Sequence, residues 1–198
     1  RVIRHAKHIF VMSEGMVQLF KEKYTSINVS ALRHTFNGSV PTFSSLPELH
    51  TPLRLVFMGN INQSCADALS KVASLAAESD DICLTLLTGS SRKAISHFGL
   101  NENNLKVITP PAEELHTRMQ DGDILILPHG FESTFSEEEL LTIFPTKTID
   151  YLLSMRPILA YVPSNTFIEK FLRENNCALV VSGPNEEALI NGIERLRG

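Results

Sequence analysis

The chain has 198 residues, 43% hydrophobic and 20% charged, with a formal net charge of -4, a soluble composition able to bury one good core and a fragment of a second. Its 18 basic residues face 22 acids without a Lys/Arg stripe or interleaved aromatics, which argues against a nucleic-acid partner. No run of about 18 apolar residues offers a transmembrane segment.

Three cysteines, Cys65, Cys83 and Cys177, stand far apart beside apolar residues and lack zinc spacing, so they read as reduced core cysteines of a cytosolic protein. Arg1 opens directly into a structured pattern with no initiator methionine, which predicts a piece of something longer. Ala6 to Met12 reads as a strand, Ser13 as a helix cap, and Glu14 to Tyr24 as an amphipathic helix through Met16, Val17, Leu19 and Phe20. Residues 39 to 51 carry two prolines and three serines with no sustained period and read as a linker.

Beyond the linker the units alternate. Leu53 to Met58 is a strand, Gly59 to Ser64 a turn, and Ala66 to Ala77 a helix facing inward through Leu69, Val72, Ala73 and Ala76. Cys83 to Leu87 is the next strand, closed by Thr88-Gly89-Ser90-Ser91 and a short helix ending near Phe98. Leu105 to Ile108 is a third strand, and Pro110-Pro111 starts a helix carrying Leu115 and Met119. Asp123 to Leu127 is the fourth strand. Pro128 to Leu140 is long, acidic and unpatterned, and reads as a loop. Pro145 then breaks the chain and the Thr146 hydroxyl caps a helix of about two turns, with Ile149, Leu152 and Leu153 facing a core and Lys147 and Asp150 sharing another face. Ile158 to Tyr161 is a strand buried on both sides, Thr166 and Glu169 form a capping box for a helix carrying Phe167 and Phe171, and Ala178 to Val181 is the last strand. Asn185 caps a closing helix with Leu189, Ile190, Ile193 and Leu196 on one face. Such alternation predicts an α/β, Rossmann-like, doubly wound parallel sheet with helices on both faces.

Open α/β sheets bind anionic ligands where a loop opens a helix at the C-terminal edge of the strands. At the turn through Pro145 the free amides of Thr146 to Thr148, the positive helix end and Lys147 would all meet a phosphate. Asp150, one turn further, would repel a diphosphate but suits two adjacent ribose hydroxyls; its plainer reading is a charge near a helix start, or a partner for Lys147. Gly59 and Asn60 permit close backbone approach after the first strand of this domain. Arg92 and Lys93 follow the second strand. His129 follows the fourth, either beside the diphosphate or as a turn residue. Glu132, Glu137, Glu138 and Glu139 read as solvated loop acids. No catalytic nucleophile, general base or metal site can be assigned.

The stretch Pro145-Thr-Lys-Thr-Ile-Asp-Tyr-Leu-Leu-Ser-Met-Arg-Pro157-Ile-Leu-Ala resembles the donor-site motif of GT-B glycosyltransferases, especially the large retaining family (group 1, family 4-like) with many bacterial polysaccharide and lipid-sugar transferases. Pro145, Lys147, Tyr151 and Pro157 match its variant Pro-x-Lys-x-x-Glu-Tyr-x-Ala-x-Gly-x-Pro, with Asp150 in place of the acid. Met155 stands where the family usually has Gly, and Thr142 where the first acid of the commoner motif falls. The resemblance implies that residues 41–198 are the C-terminal nucleotide-sugar-binding domain, and residues 1–40 the tail strand and helix of the N-terminal acceptor half, with Val29 to Gly38 leading into the crossover.

It further implies a UDP- or GDP-type sugar donor, retaining transfer to an acceptor hydroxyl, and no metal or other cofactor. Lys147 and the amides of Thr146 to Thr148 would stabilise the leaving phosphate, Asp150 would hold the ribose, and Thr109 to Ala112 would cradle the base. Glu132, or one of Glu137 to Glu139, would replace the missing first acid. Asn62, Gln63 and Ser64 stand where the family often has Arg and Lys, so neutral donors or Lys147 would serve the diphosphate. The acceptor, a sugar or a lipid-linked molecule, would bind mostly through the missing half, so this piece alone would bind nucleotide without turnover. The expected setting is polysaccharide biosynthesis in the cytoplasm, or at the periphery of the inner membrane. Two alternatives stand beside this reading: a nucleotide-sugar epimerase of the same fold, and a non-catalytic domain that keeps the fold without donor binding.

Overall fold

The computed structural model describes residues 3–37, 40, 42, 48–100, 105–132 and 136–198. Arg1, Gly38 and most of the expected linker lie outside them. The chain first forms β1 (Ile9–Val11), α1 (Glu14–Lys23) and β2 (Val29–Ala31), with β1 and β2 paired in parallel. β1 is shorter than the expected strand, and β2 emerges from the segment read as a lead into the crossover. Its three residues gain ladder bonds only by returning beside β1. The Ser13 hydroxyl accepts from the Met16 amide at 3.1 Å, as a cap does, and donates to the Thr142 carbonyl at 2.6 Å. One serine thereby starts α1 and fastens it to the larger body.

That body contains β3 (Leu53–Met58), α2 (Ala66–Ala77), β4 (Ile82–Leu87), α3 (Arg92–His97), β5 (Leu105–Ile108), α4 (Leu115–Gln120) and β6 (Ile124–Pro128). It continues through α5 (Glu137–Thr142), α6 (Thr148–Ser154), β7 (Ile158–Val162), α7 (Phe167–Glu174), β8 (Leu179–Ser182) and α8 (Glu186–Arg197). The six strands are parallel, in the order β5-β4-β3-β6-β7-β8. All five residues of β6 and all five of β7 are buried, as expected for strands covered on both faces. One core joins the sheet to α2, α3 and α8 through Leu69, Val72, Ile95 and Leu189; the other joins it to α4, α6 and α7 through Met119, Tyr151, Ile168 and Leu172. The doubly wound, Rossmann-like architecture is the one the alternating pattern predicts.

At the N-terminal edge of the sheet, Asp123 is the buried residue just before β6 and not its first member. Its carboxylate accepts from the Arg54 amide at 2.7 Å and the His50 amide at 3.2 Å, and lies 2.8 Å from His50 Nδ1. Three contacts on one acid pin the entry into β3 against β6.

Four local expectations need correction. The acidic stretch before Pro145 is not all loop: Ser136 caps α5, and Glu137, Glu138 and Glu139 form its first turn, where negative charge is favourable. Thr146 does not cap α6; Lys147 occupies that position, and no side chain bonds the helix start. α6 buries Thr148, Tyr151 and Ser154, while Ile149, Leu152 and Leu153 are only half-buried. Tyr151 carries more buried surface than any of those aliphatics and sets the helix rotation. Cys65 is buried as expected, but Cys83 and Cys177 are half-buried free thiols.

Met155 ends α6 in the left-handed conformation, at φ 59° and ψ 28°. A Cβ is disfavoured there, and glycine is the residue that relieves it. Met155→Gly is expected to raise stability by about 1 kcal/mol, read as a later denaturant midpoint at unchanged m-value. An earlier midpoint would mean that the Met155 side chain contributes more packing than its backbone loses.

Candidate functional site

The strand order reverses between β3 and β6: the chain runs outward from β3 through β4 to β5, then returns to β6 and continues through β7 to β8. A crevice must open at the C-terminal ends of the two strands at such a point. Here the ladder joins Leu55 to Ile124 and Val56 to Leu125, and beyond it the strands part. Tyr151, fully buried on α6, fills the parting: its hydroxyl accepts from the Met58 amide at 2.8 Å and donates to the Ile126 carbonyl at 3.0 Å. A side chain has taken over a position that a strand-to-strand bond would hold. Burial raises the phenol far above its ordinary range, so it stays a neutral donor and acceptor.

Above this plug lies a cleft of about 440 Å³. Met58, Gly59, Asn60 and the turn into α2 form one wall, Pro128 and His129 the floor, and residues 143–147 with Asp150 the other wall; Met12 reaches in from the N-terminal unit. Lys147 crosses the edge of the sheet, with its Nζ 4.2 Å from the centre of the Phe57 ring. Gly59 makes the crossing possible. Its φ is +125°, and a Cβ there would meet Lys147 Nζ at 3.2 Å and Cε at 3.3 Å, so both conformation and space call for glycine.

Among the described residues no carboxylate pairs with the Lys147 ammonium. The face of Phe57 is its nearest electrostatic partner, and desolvation lowers its pKa. Asp150 stands on the rim one turn along α6 and does not bond Lys147. Partial burial raises its carboxyl, against the pull of His116. It borders both the cleft and a neighbouring hollow of about 370 Å³ lined by Phe36, Leu115, His116 and Leu153. A ligand spanning the two spaces would pass the carboxylate.

The remaining sequence candidates divide. Thr146, Gly59, Asn60 and His129 line the cleft beside Lys147 and Asp150. The His129 ring is buried with Nε2 3.1 Å from the Leu140 carbonyl, and desolvation lowers its pKa. Thr148 is elsewhere: its amide donates to the Pro145 carbonyl at 3.0 Å and its hydroxyl is buried without a partner. It therefore cannot offer the free amide expected of it. Glu132 does not line the cleft, and Glu138 pairs with Lys23. Arg92 and Lys93 open α3 outside it. Asn62 and Ser64 do line it, but the Asn62 Oδ1 is spent on the Ser64 amide, at 2.9 Å, and hydroxyl, at 2.6 Å.

Sequence reasoning missed Asp67. From the first turn of α2 its Oδ2 accepts from the Phe131 amide at 2.7 Å and the Glu132 amide at 2.9 Å. Gly130 permits the approach, because a Cβ there would fall 2.5 Å from Oδ1. This acid holds the chain leaving β6 against α2. The available signal was an acid in a first turn, which has no local mark of such a long-range role. Among the described residues no cluster of three or more His, Cys, Asp or Glu side chains could hold a metal, and no helix is long and apolar enough to cross a membrane.

No protein-family model and no curated protein matches the chain. Solved structures do. A structure of an S. aureus TarM mutant in complex with UDP and two saccharide ligands aligns over 98% of this chain and 38% of its own, with TM-score 0.61 at 11% identity. A glycosyltransferase from Rickettsia africae aligns over 96% and 53%, with TM-score 0.58 at 14% identity. A mutant of Thermobaculum terrenum O-GlcNAc transferase aligns over 98% and 40%, with TM-score 0.55 at 15% identity. These likenesses show the fold alone, an α/β, Rossmann-like arrangement shared with part of each of these structures. The chain spans between 38% and 53% of the length of these three structures.

Tyr151→Phe removes the plug's hydroxyl while keeping its ring, leaving the Met58 amide and the Ile126 carbonyl unpaired in a dry site. A loss of about 1 to 3 kcal/mol in unfolding free energy is expected, with faster exchange of the Met58 amide hydrogen. A neutral substitution would show that the two strands close on each other without the tyrosine.

Proposed function

We propose that the chain is the donor-binding half of a glycosyltransferase and that its cleft holds the nucleoside diphosphate part of a sugar donor. The observation that carries this reading is Lys147, a desolvated ammonium at the switch point of the sheet with no carboxylate paired to it among the described residues, and the Asp150 carboxylate one helical turn away on the rim of the same cleft. Desolvating a half-buried cation without an acid beside it costs stability, and such groups are kept where a ligand supplies the missing charge. The phosphates meet Lys147, which also stabilises them as leaving group during transfer. The ribose hydroxyls meet Asp150. The base lies in the adjoining hollow near Ala112 and Leu115. The UDP in the TarM structure, which shares this fold, supports a uridine nucleotide as the first ligand to try.

Two amendments follow from the geometry. With the Thr148 amide engaged and Asn62 turned on Ser64, Lys147 is the principal phosphate contact, joined by the amide and hydroxyl of Thr146. His129 lines the cleft, but in the neutral form that burial favours its one N–H is already donated to the Leu140 carbonyl, so it shapes the floor and gives no hydrogen bond to the phosphates. Transfer with retention and without a metal, to an acceptor hydroxyl brought by the remainder of a longer protein, completes the proposal.

Calorimetry with UDP, GDP and ADP should give saturable binding of at least one, weakened by about 1 to 2 kcal/mol in Asp150→Ala, the scale of lost charged hydrogen bonds. Equal affinity in that variant would remove the ribose assignment.

Lys147→Met should abolish diphosphate binding and yet raise the stability of the unliganded protein by on the order of 1 kcal/mol. The pH dependence has opposite signs for the two properties. Lys147 has a lowered pKa when folded, so between that value and the ordinary lysine value the unfolded chain binds more protons, and stability rises with pH. Across the same window the folded protein loses the ammonium, and diphosphate affinity falls. Both slopes should disappear in the methionine variant; if binding survives there, Lys147 is not the phosphate contact.

A further inference from the structure

In a parallel sheet wound with helices on both sides, each inner strand is covered above and below. β4 departs from this on the side of α4. Ile82, Leu84 and Leu86 join the core under α2 and α3, whereas Cys83 and Thr85, which alternate with them, are only half-buried. α4, six residues long, leaves a hollow of about 240 Å³ over them. Three cations surround that floor: Arg54 from β3, Lys106 from β5 and Arg118 from α4. Arg54 stands beside Cys83 across the ladder, and Lys106 beside Thr85. Glu114 and Asp121 answer Arg118. Asp123, whose charge also reaches Cys83, is committed to backbone amides and His50. Among the described residues no acid pairs with Arg54 or Lys106. β5 is moreover the outermost strand, with Lys106 exposed on one face and Val107 on the other.

We propose that this face docks an extended acidic segment of a partner protein, laid along β5 as an added strand with its carboxylates over Arg54 and Lys106. The proposal is independent of the donor reading, since none of these residues lines the donor cleft. Two unmatched cations select the charge, and a guanidinium takes a carboxylate through paired hydrogen bonds. The outer strand selects the conformation, because a sheet edge offers main-chain groups to another strand. Along such a strand, alternate side chains set acids over the hollow and apolar residues beside Val107. A lysine on an outer strand also discourages indiscriminate pairing. That role accounts for Lys106 alone and leaves Arg54, exposed on a strand paired on both sides, unexplained.

Calorimetric titration of the chain with the peptide acetyl-Thr-Glu-Val-Asp-Val-Glu-Thr-amide tests this, with the same peptide carrying lysine at its acidic positions as control. Saturable binding of the acidic peptide that weakens with added salt, and none of the lysine peptide, is expected. Lys106→Gln and Arg54→Gln should each lower the affinity roughly threefold or more, the effect of one lost ion pair, while the denaturant midpoint of Lys106→Gln stays that of the wild type. Should Arg54→Gln fail to unfold cooperatively, Lys106→Gln alone decides. Absence of saturable binding, equal binding of the two peptides, or unchanged affinity in a folded variant overturns the proposal. So does displacement of the acidic peptide by an equimolar amount of inorganic pyrophosphate, which would make the hollow a small-anion site.

Discussion

The hydroxyl of Tyr151 sits where two neighbouring parallel strands stop bonding each other. A sheet that winds outward in both directions from its middle must part at the C-terminal ends of the central strands, and the parting leaves a donor on Met58 and an acceptor on Ile126 without ladder partners. Unpaired backbone in so dry a place is costly. One phenol satisfies both groups, keeps the strands at a fixed separation and locks the rotation of α6. That rotation carries Lys147 over the sheet edge and Asp150 to the rim. The crevice and the two charged groups that furnish it thus follow from a single neutral side chain.

Lys147 and Gly59 form the second dependency. The lysine reaches across the strand ends because residue 59 has no side chain and adopts a positive φ, and it rests on an aromatic face instead of a carboxylate. Packing satisfies its stem, and among the described residues no acid answers its charge. Stability alone does not account for such an arrangement, because a methionine would fill the same space without desolvating a charge. The contrast with the N-terminal edge is instructive: there the buried acid Asp123 is surrounded by donors and serves only to hold β3 to β6. The two ends of the sheet use buried charge for different ends, one saturated and one open.

The N-terminal unit touches the larger body through the Ser13 hydroxyl on Thr142, the Lys23–Glu138 pair and the Arg33 guanidinium over the Phe171 ring. Its apolar stripe remains half-exposed over a hollow. Exposed ion pairs contribute little, so this contact holds α1 in place without closing the space beside the cleft.

Periodicity and punctuation were sufficient for the main body. β3, α2 and β5 fall on the residues predicted for them, because alternating apolar runs bounded by Gly, Pro and capping residues are local signals with local causes. The motif through Pro145 also placed Lys147, Asp150 and Thr146 at one cleft. What the sequence left undetermined depends on contacts made between distant segments. β2 is a strand only because β1 lies beside it; Asp67 matters only because the chain after β6 returns to α2; and Thr148 turns inward because the bulk of Tyr151, three residues on, decides which face of α6 is buried. Residue types and spacing determined which groups could bind an anion, whereas the parting of β3 and β6 decided which of them face open space.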